Sequence, residues 1–485
     1  MKVPATAAPD LPCLAMRPTG RCAVDRECRR CGEGRTCCSL PARFKPRYMV
    51  TVRMHELHDN RYRSLVKSTV SNQALGLNPL RPWRKFDTDM RTSSALRRLQ
   101  RAHNIDDVRE LARRRLPRFI FDYLDGGADD EYTRGENAKS FAALSLMQRV
   151  LVDVSSVDTA TTLLGMPTSA PFILSSTGAS RFYHSQGELA AARAAATSQV
   201  IYGTTSSAMF SLEDVAAVGD GPRFFQVYVL KDRSITGEYV QRCKAAGYGA
   251  MFLTVDCATH GNRERDLRNR ISIPPKATPR ILWQLLQGPS WTLDYLTHTG
   301  WRFPNVEGYV DDTTRDDFGS VAEWFADQLD KSFTWDDAAA LCSDWGGPFV
   351  IKGITSVADA RLAVEIGATG IVISNHGGRQ LDHAPTTLEV LPEVVDAVGD
   401  RVEVLVDSGF RRGTDIIKAL ALGARGVLIG KAYLYGLGAG GEAGVARVIE
   451  LLKGELERNM TLMGLRSIDE ITSDCVRWRD PRFVR

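Results

Sequence analysis

The run Ser374-Asn375-His376-Gly377-Gly378-Arg379-Gln380-Leu381-Asp382 sets an imidazole close to a guanidinium, with two glycines between them. An imidazole exchanges a proton near neutral pH, and a guanidinium grips a carboxylate through two parallel hydrogen bonds. The pair suits a substrate that carries both an acid group and a removable proton. The run follows Gly370 to Ile373, an apolar stretch without polar alternation that reads as a buried parallel strand. The chemistry therefore sits at a strand's C-terminal end. A loop-capping histidine and a solvated arginine would read the same way, so the other strand ends must decide.

Those ends belong to a regular alternation. Short apolar runs that finish in polar residues occur at Pro171 to Ser175, Val200 to Thr204, Arg223 to Val229, Ala250 to Asp256, Phe349 to Gly353, Gly370 to Ser374, Val402 to Asp407 and Gly426 to Gly430. Alanine-rich helical stretches, such as Gly187 to Ala196, Ala358 to Ile366, Thr414 to Leu422 and Ala443 to Met460, lie between or after them. Eight such units predict an α/β protein, a single (β/α)8 TIM barrel whose catalytic groups leave the C-terminal ends of the strands. The fourth and fifth runs start about 100 residues apart, far beyond an ordinary loop, so residues 262–332 read as an insertion on the catalytic face. Ahead of the barrel, a short helix capped by Asp106 should stop before Pro117. A second helical piece, Phe119 to Leu124, carries Tyr123 and ends at Gly126-Gly127.

The strand ends carry a polar inventory that packing does not explain. The first offers Ser176-Thr177-Gly178 and the second Thr205-Ser206. Gln226 and Tyr228 share one side of the third, and Thr254 and Asp256 one side of the fourth, with Arg263 just beyond. Lys352 interrupts the apolar fifth strand, where an ammonium costs several kcal/mol unless an anion faces it. The seventh and eighth end in Asp407-Ser408-Gly409-Phe410-Arg411-Arg412-Gly413 and Gly430-Lys431, at the positions where such barrels bind phosphate.

Composition bounds the class. Of 485 residues, 44% are hydrophobic and 25% charged, as in a soluble globular protein. The net charge of +4 hides a basic head: residues 1–102 hold 21 Lys and Arg against 8 Asp and Glu, leaving the remainder at −9. That asymmetry suggests a tail touching an anionic surface or a poorly ordered one, rather than an enzyme of nucleic acid. Residues 1–88 read as this poorly ordered extension, and 89–485 as the barrel domain. Cys13, Cys22, Cys28, Cys31, Cys37 and Cys38 crowd into the head. Their spacing suits zinc or iron, but no second well-spaced pair follows, and Met54 and Met90 are available as later starts. Single cysteines scattered through the body fit a reducing compartment. Nothing in the chain matches a spanning helix or a signal peptide, which predicts a cytoplasmic protein.

Together the His376 run, Asp407 to Gly413 and Phe225-Gln226-Val227-Tyr228 resemble the FMN-dependent 2-hydroxy-acid dehydrogenases and oxidases, over residues 104 to 470. The stretches Phe121 to Ala128, Arg263 to Arg270 and Tyr433 to Leu437 look most similar to the membrane-associated mandelate dehydrogenases and bacterial L-lactate dehydrogenases. The resemblance implies FMN as cofactor and a small (S)-2-hydroxy acid as substrate. It implies His376 as the base with Asp256 as its partner, Arg263, Arg379 and Tyr123 at the substrate carboxylate, and Tyr228 at its hydroxyl. Lys352 would lie by flavin N1. Ser176, Thr177, Gly178, Thr205, Gln226, Thr254 and Ser374 would hold the ring and ribityl chain, with Asp407, Ser408, Gly409, Phe410, Arg411, Gly430 and Lys431 at the ribityl and phosphate. No metal is implied.

The chain departs from the family pattern in three places. Ser176 stands where proline is common, Lys431 where arginine is usual, and Ser207 where glycolate oxidase has tryptophan, which leaves room for a bulky substituent. Quinone and oxygen both remain open as electron acceptors, and a non-catalytic flavin- or phosphate-binding barrel is the alternative from another class. Trp283, Trp291, Tyr295, Trp301 and Phe303 in the insertion form an apolar surface suited either to a membrane interface, through residues 277–304, or to a lid over the flavin. The resemblance to mandelate dehydrogenase favours the first: a homotetramer peripheral on the inner face of the cytoplasmic membrane.

Overall fold

A computed structural model describes residues 96–269, 278–298, 302–310, 324–325 and 327–479. The six head cysteines, both alternative start methionines and Trp301 lie outside them.

Eight parallel strands close into a barrel: β1 (Phe172–Leu174), β2 (Ile201–Thr205), β3 (Arg223–Val227), β4 (Ala250–Thr254), β5 (Phe349–Ile354), β6 (Gly370–Ile373), β7 (Glu403–Val406) and β8 (Gly426–Ile429). Neighbours pair in chain order, and β8 returns to β1. All eight expected strands are present. Their runs are apolar throughout because alternate side chains fill the barrel and the rest face the helices. Ile173, Ile201, Phe224, Phe252, Val350, Val372, Leu405 and Leu428 form the inner set, closed at the N-terminal mouth by Leu163, Leu164 and Met166. Phe224 and Phe252 stack with ring centroids 3.9 Å apart. Each such buried ring contributes about 1.5–3 kcal/mol. Gly203 on β2 makes room for them, since a Cβ there would collide with the Phe224 ring.

The period of two then places the chemistry. One step beyond the apolar layer, the inward phase reaches Ser175, Gln226, Thr254, Lys352, Ser374, Asp407 and Gly430. Tyr228 and Asp256 follow one step further along β3 and β4.

Outside the barrel two expectations are corrected. The helix Ile105–Arg115 is capped by Asn104, whose side chain accepts from the Asp107 N–H at 2.8 Å; Asp106 sits in the first turn, where its charge meets the helix dipole instead. The last helix, expected from Ala443, runs over Lys431–Met463 with a break at Gly440 and Gly441. It starts at Lys431, with only Gly430 between it and β8.

The insertion contributes helices Glu264–Asn269, Pro279–Gln287 and Pro289–Thr297. Its aromatics do not form one surface. Trp291 is buried, stacks on Tyr295 with centroids 5.2 Å apart, and donates through Nε1 to the Phe182 carbonyl at 2.7 Å. On the same helical face Asp294 accepts from Ser185 Oγ at 2.6 Å and pairs with Arg115 at 3.3 Å. Phe303 is buried as well. Of the five aromatics only Trp283 is largely exposed among the described residues, and Leu282, Leu286, Leu293 and Leu296 join it in solvent. The helical period separates the two sets, turning one face to the barrel and the other out. Among the described residues no helix is long and apolar enough to cross a membrane.

Candidate active site

A cavity of about 650 Å³ opens at the C-terminal ends of the strands, within the range of small-molecule sites. Of the residues to which the family resemblance gives a role at substrate or cofactor, all line it except Asp256, Thr205 and Ser374. Thr205 is buried, with its hydroxyl 3.4 Å from Ser207 Oγ. Ser374 Oγ lies just beneath, accepting from Lys352 Nζ at 2.9 Å and from the His376 N–H at 3.0 Å. Asp256 meets the cavity through His376.

His376 Nδ1 lies 3.1 Å from Asp256 Oδ1 and 3.3 Å from Oδ2. Burial pushes the Asp256 carboxyl up, but His376 and Lys352 outweigh it and hold it down at about 2. Asp256 is thus anionic at neutral pH and orients the imidazole, leaving Nε2 to exchange a proton. The loop that presents this ring is wound left-handed for three residues, with φ of 56° at His376, 66° at Gly377 and 70° at Gly378. Glycine is tolerant there, whereas His376 bears strain of about 1–3 kcal/mol. The rest of the run is scaffold. Asn375 exchanges two 2.8 Å hydrogen bonds with Asn137, Gln380 donates to the carbonyls of Asp256 and Thr259, and Asp382 accepts from the N–H groups of Tyr132 and Thr133.

Two arginines share one wall. Arg379 donates to the carbonyls of Tyr123 at 2.9 Å and Gly126 at 3.0 Å, and lies over the Tyr123 ring. Burial, then Arg263, lowers its pKa. Among the described residues the Arg263 side chain makes only long hydrogen bonds, 3.4 Å to the Arg379 carbonyl and 3.4 Å to Gln380 Oε1. Two adjacent cations with spare N–H groups make an anion site. Burial, then Cys257 and Asp256, holds the Tyr228 hydroxyl well above its ordinary range, so it stays a neutral donor.

Lys352 Nζ pairs with Asp407 Oδ2 at 2.8 Å. Ser408 Oγ donates to Asp407 Oδ1 at 2.7 Å and accepts from the Gly377 N–H at 3.0 Å, linking the β6 and β7 loops. Arg411 lies over the Tyr435 ring. Lys431 Nζ donates to the carbonyls of Gly126, Asp125 and Gly377 at 2.9, 3.3 and 3.4 Å.

Sequence reasoning missed the hub behind this wall. Asp125, buried, accepts from Arg109, Arg134 and Tyr435 at 2.8 to 2.9 Å, and these ties outweigh burial and hold its carboxyl far below the usual range. Arg109 and Arg134 both line the cavity. No spacing rule joins positions so far apart in the chain. Cys257, directly after Asp256, and His260, four residues beyond it, were also missed, although both line the cavity. Phe303, Val306, Phe325 and Leu329 from the insertion add an apolar wall.

Residues 112–478 match the family model described as FMN-dependent dehydrogenase. The chain belongs to the FMN-dependent dehydrogenase family. It is similar to a peroxisomal (S)-2-hydroxy-acid oxidase of Oryza sativa subsp. japonica, 44% identical over 370 residues that cover 76% of this chain and 94% of the relative. Among solved structures it is similar to the monotopic membrane protein (S)-mandelate dehydrogenase, with a TM-score of 0.75 and 38% identity over 78% of this chain and 100% of that one. A mandelate oxidase gives a TM-score of 0.65 and 36% identity over 76% and 97%. This FMN-dependent dehydrogenase is therefore an oxidoreductase of 2-hydroxy acids.

The cavity fits FMN. Ser176 Oγ, Gln226 Nε2 and Thr254 Oγ1 are buried without a hydrogen-bond partner among the described residues, and all three residues line the cavity. Buried polar atoms left unmet cost free energy that a flavin's carbonyls and ring nitrogens would recover. Arg411 and Lys431, with the glycines Gly409 and Gly430, suit a phosphate. The backbone N–H groups of Arg411 and Arg412 are already taken by Asp415 at 3.0 Å each, so they are not free for it.

Proposed function

We propose that this enzyme oxidises (S)-2-hydroxy acids with an apolar substituent, of the lactate or mandelate type, to 2-oxo acids, and passes the electrons to a membrane quinone. The observation that carries the reading is the His376–Asp256 pair facing one cavity with Arg263 and Arg379. Arg263 and Arg379 hold the substrate carboxylate with Tyr123 beside them, and Tyr228 donates to the hydroxyl oxygen. His376 takes a substrate proton at Nε2, and the adjacent Asp256 carboxylate stabilises the imidazolium that results. Bound FMN supplies the two-electron acceptor that turns CH–OH into C=O. Lys352 is the group that would face flavin N1, with Asp407 at the ribityl chain and Ser176, Gln226 and Thr254 at the ring. The apolar wall of Phe303, Val306, Phe325 and Leu329, with Ser207 small beside it, supports a large apolar substituent.

The acceptor rests on the insertion. Leu282, Trp283, Leu286, Leu293 and Leu296 stand exposed on two consecutive helices, a pattern suited to lying in a membrane interface, and the similar mandelate dehydrogenase is a monotopic membrane protein. Similarity to oxidases supports oxygen as a second reading.

Anaerobic mixing with L-lactate, (S)-mandelate and glycolate tests the substrate: the flavin should bleach with the first two, and His376→Gln should slow bleaching by ~10²–10⁴-fold with flavin still bound. Failure of all hydroxy acids to bleach the wild type would remove the enzymatic assignment of the site. Replacing Leu282, Trp283 and Leu286 by serine should release the protein from membranes and reduce quinone turnover. A wild type that never partitions to membranes, or reoxidises fastest with oxygen, would hand the reading to the oxidase.

A further inference from the structure

The three groups Asp256, Cys257 and His376 offer one carboxylate oxygen, one sulfur and one imidazole nitrogen at mutual distances of 3.1, 3.3 and 3.5 Å. Ligand atoms bound to tetrahedral zinc at about 2.0–2.3 Å stand roughly 3.3–3.7 Å from one another. The triangle is therefore already close to the edge lengths of a zinc coordination face. Among the described residues no other such cluster of potential ligands occurs. Cys257 and His376 line the open cavity, which supplies an entry path and a fourth position for water. His260 lines the cavity three residues beyond Cys257.

We propose that Asp256, Cys257 and His376 form an inhibitory site for a thiophilic divalent cation, with zinc as the fitting ion. Zinc displaces the thiol proton of Cys257 to solvent, and the carboxylate and the resulting thiolate together balance its two positive charges. The ion takes His376 Nδ1, and the proton that Nδ1 otherwise donates to Asp256 passes through solvent to Nε2. Nε2 is then an N–H on a ring bound to a dication and takes no substrate proton, and Asp256 is no longer free to stabilise a doubly protonated ring. Turnover stops while flavin stays bound. Inhibition, as distinct from binding, rests on His376 being the base. A feature of the base's own machinery thus becomes a chelate because a sulfur follows Asp256 in the chain.

The test uses the full-length holoenzyme. Zinc content after equilibrium dialysis is compared for the wild type, Cys257→Ala and Cys257→Ser, each still carrying any zinc held by the head cysteines. The wild type should bind one equivalent more than either variant. Zinc should inhibit its flavin bleaching, a chelator should restore it, and saturating 2-hydroxy acid should slow the onset. In both variants, each normalised to its own metal-free rate, the half-inhibitory zinc concentration should rise by more than roughly 100-fold. Equal zinc content in all three proteins would overturn the site. Extra zinc in the wild type with undiminished bleaching would overturn the inhibition. Bleaching that survives His376→Gln in metal-free enzyme would instead strike the assignment of the base, leaving the dialysis result to judge the site.

Discussion

Lys352 Nζ lies 2.8 Å from Asp407 Oδ2, with the two side chains only 6% and 11% exposed. Burial alone would lower the lysine's pKa, yet Asp407 and Asp256 raise it, so Lys352 stays charged inside the barrel. Removing one member of such a pair strands the other charge, at a cost of about 3–5 kcal/mol. Lys352→Met and Asp407→Ala should each lower the melting temperature strongly, and the double variant should recover much of the loss. Thermal melts that show additive costs would mean the pair is not coupled.

The two arginines should separate in their effects. Arg263→Met should raise KM and lower kcat/KM by about 1.5–3 kcal/mol with little change in stability, since its present contacts are long. Arg379→Met should show the same kinetic loss and melt earlier as well. Its guanidinium satisfies two backbone carbonyls, and leaving those unmet costs about 1–3 kcal/mol. Steady-state kinetics and melts on the same preparations distinguish the two; equal stability would place the carbonyl bonds outside the energetics.

Lys431 is a half-buried cation whose hydrogen bonds, among the described residues, all go to carbonyl oxygens. Burial, then Arg379, Arg134 and Arg411, pushes its pKa far down. An FMN phosphate would relieve that crowding. The melting temperature of apoprotein should therefore rise steeply on adding FMN, and Lys431→Ala should show a smaller rise and a weaker flavin dissociation constant. An identical dissociation constant would move the phosphate away from this residue.

His184 gives a pH dependence to stability. Burial, then Arg115, depresses its pKa to about 4, and its Nδ1 accepts from the Gln186 N–H at 3.2 Å, which protonation would forbid. In the unfolded chain the same imidazole titrates near 6.5. Between those values the unfolded state binds the proton and the folded state does not. The contribution is therefore complete above pH 6.5 and is lost as pH falls towards 4, by at most about 3 kcal/mol. Urea melts at pH 7 and pH 5 should show the loss in the wild type and a smaller one in His184→Gln.

What the sequence alone determined is whatever obeys a local period. Eight apolar runs ending in polar residues specify the barrel, because strand burial on both faces leaves a signature within a few residues. The step of two along β3 and β4 then aligns Gln226 with Tyr228 and Thr254 with Asp256. That is why the predicted site residues converge on one cavity. Tertiary structure decided what depends on contacts between distant segments. Asp125 gathers Arg109, Arg134 and Tyr435 from three separate helices, a hub no window of sequence contains. Trp291 and Phe303 read from the chain as part of one apolar surface, suited to a membrane interface or to a lid, and the fold buries both; Trp291 packs on Phe119 and Tyr295 and bonds the Phe182 carbonyl. Hydrophobicity records that a side chain leaves water; only the packed barrel determines which surface receives it.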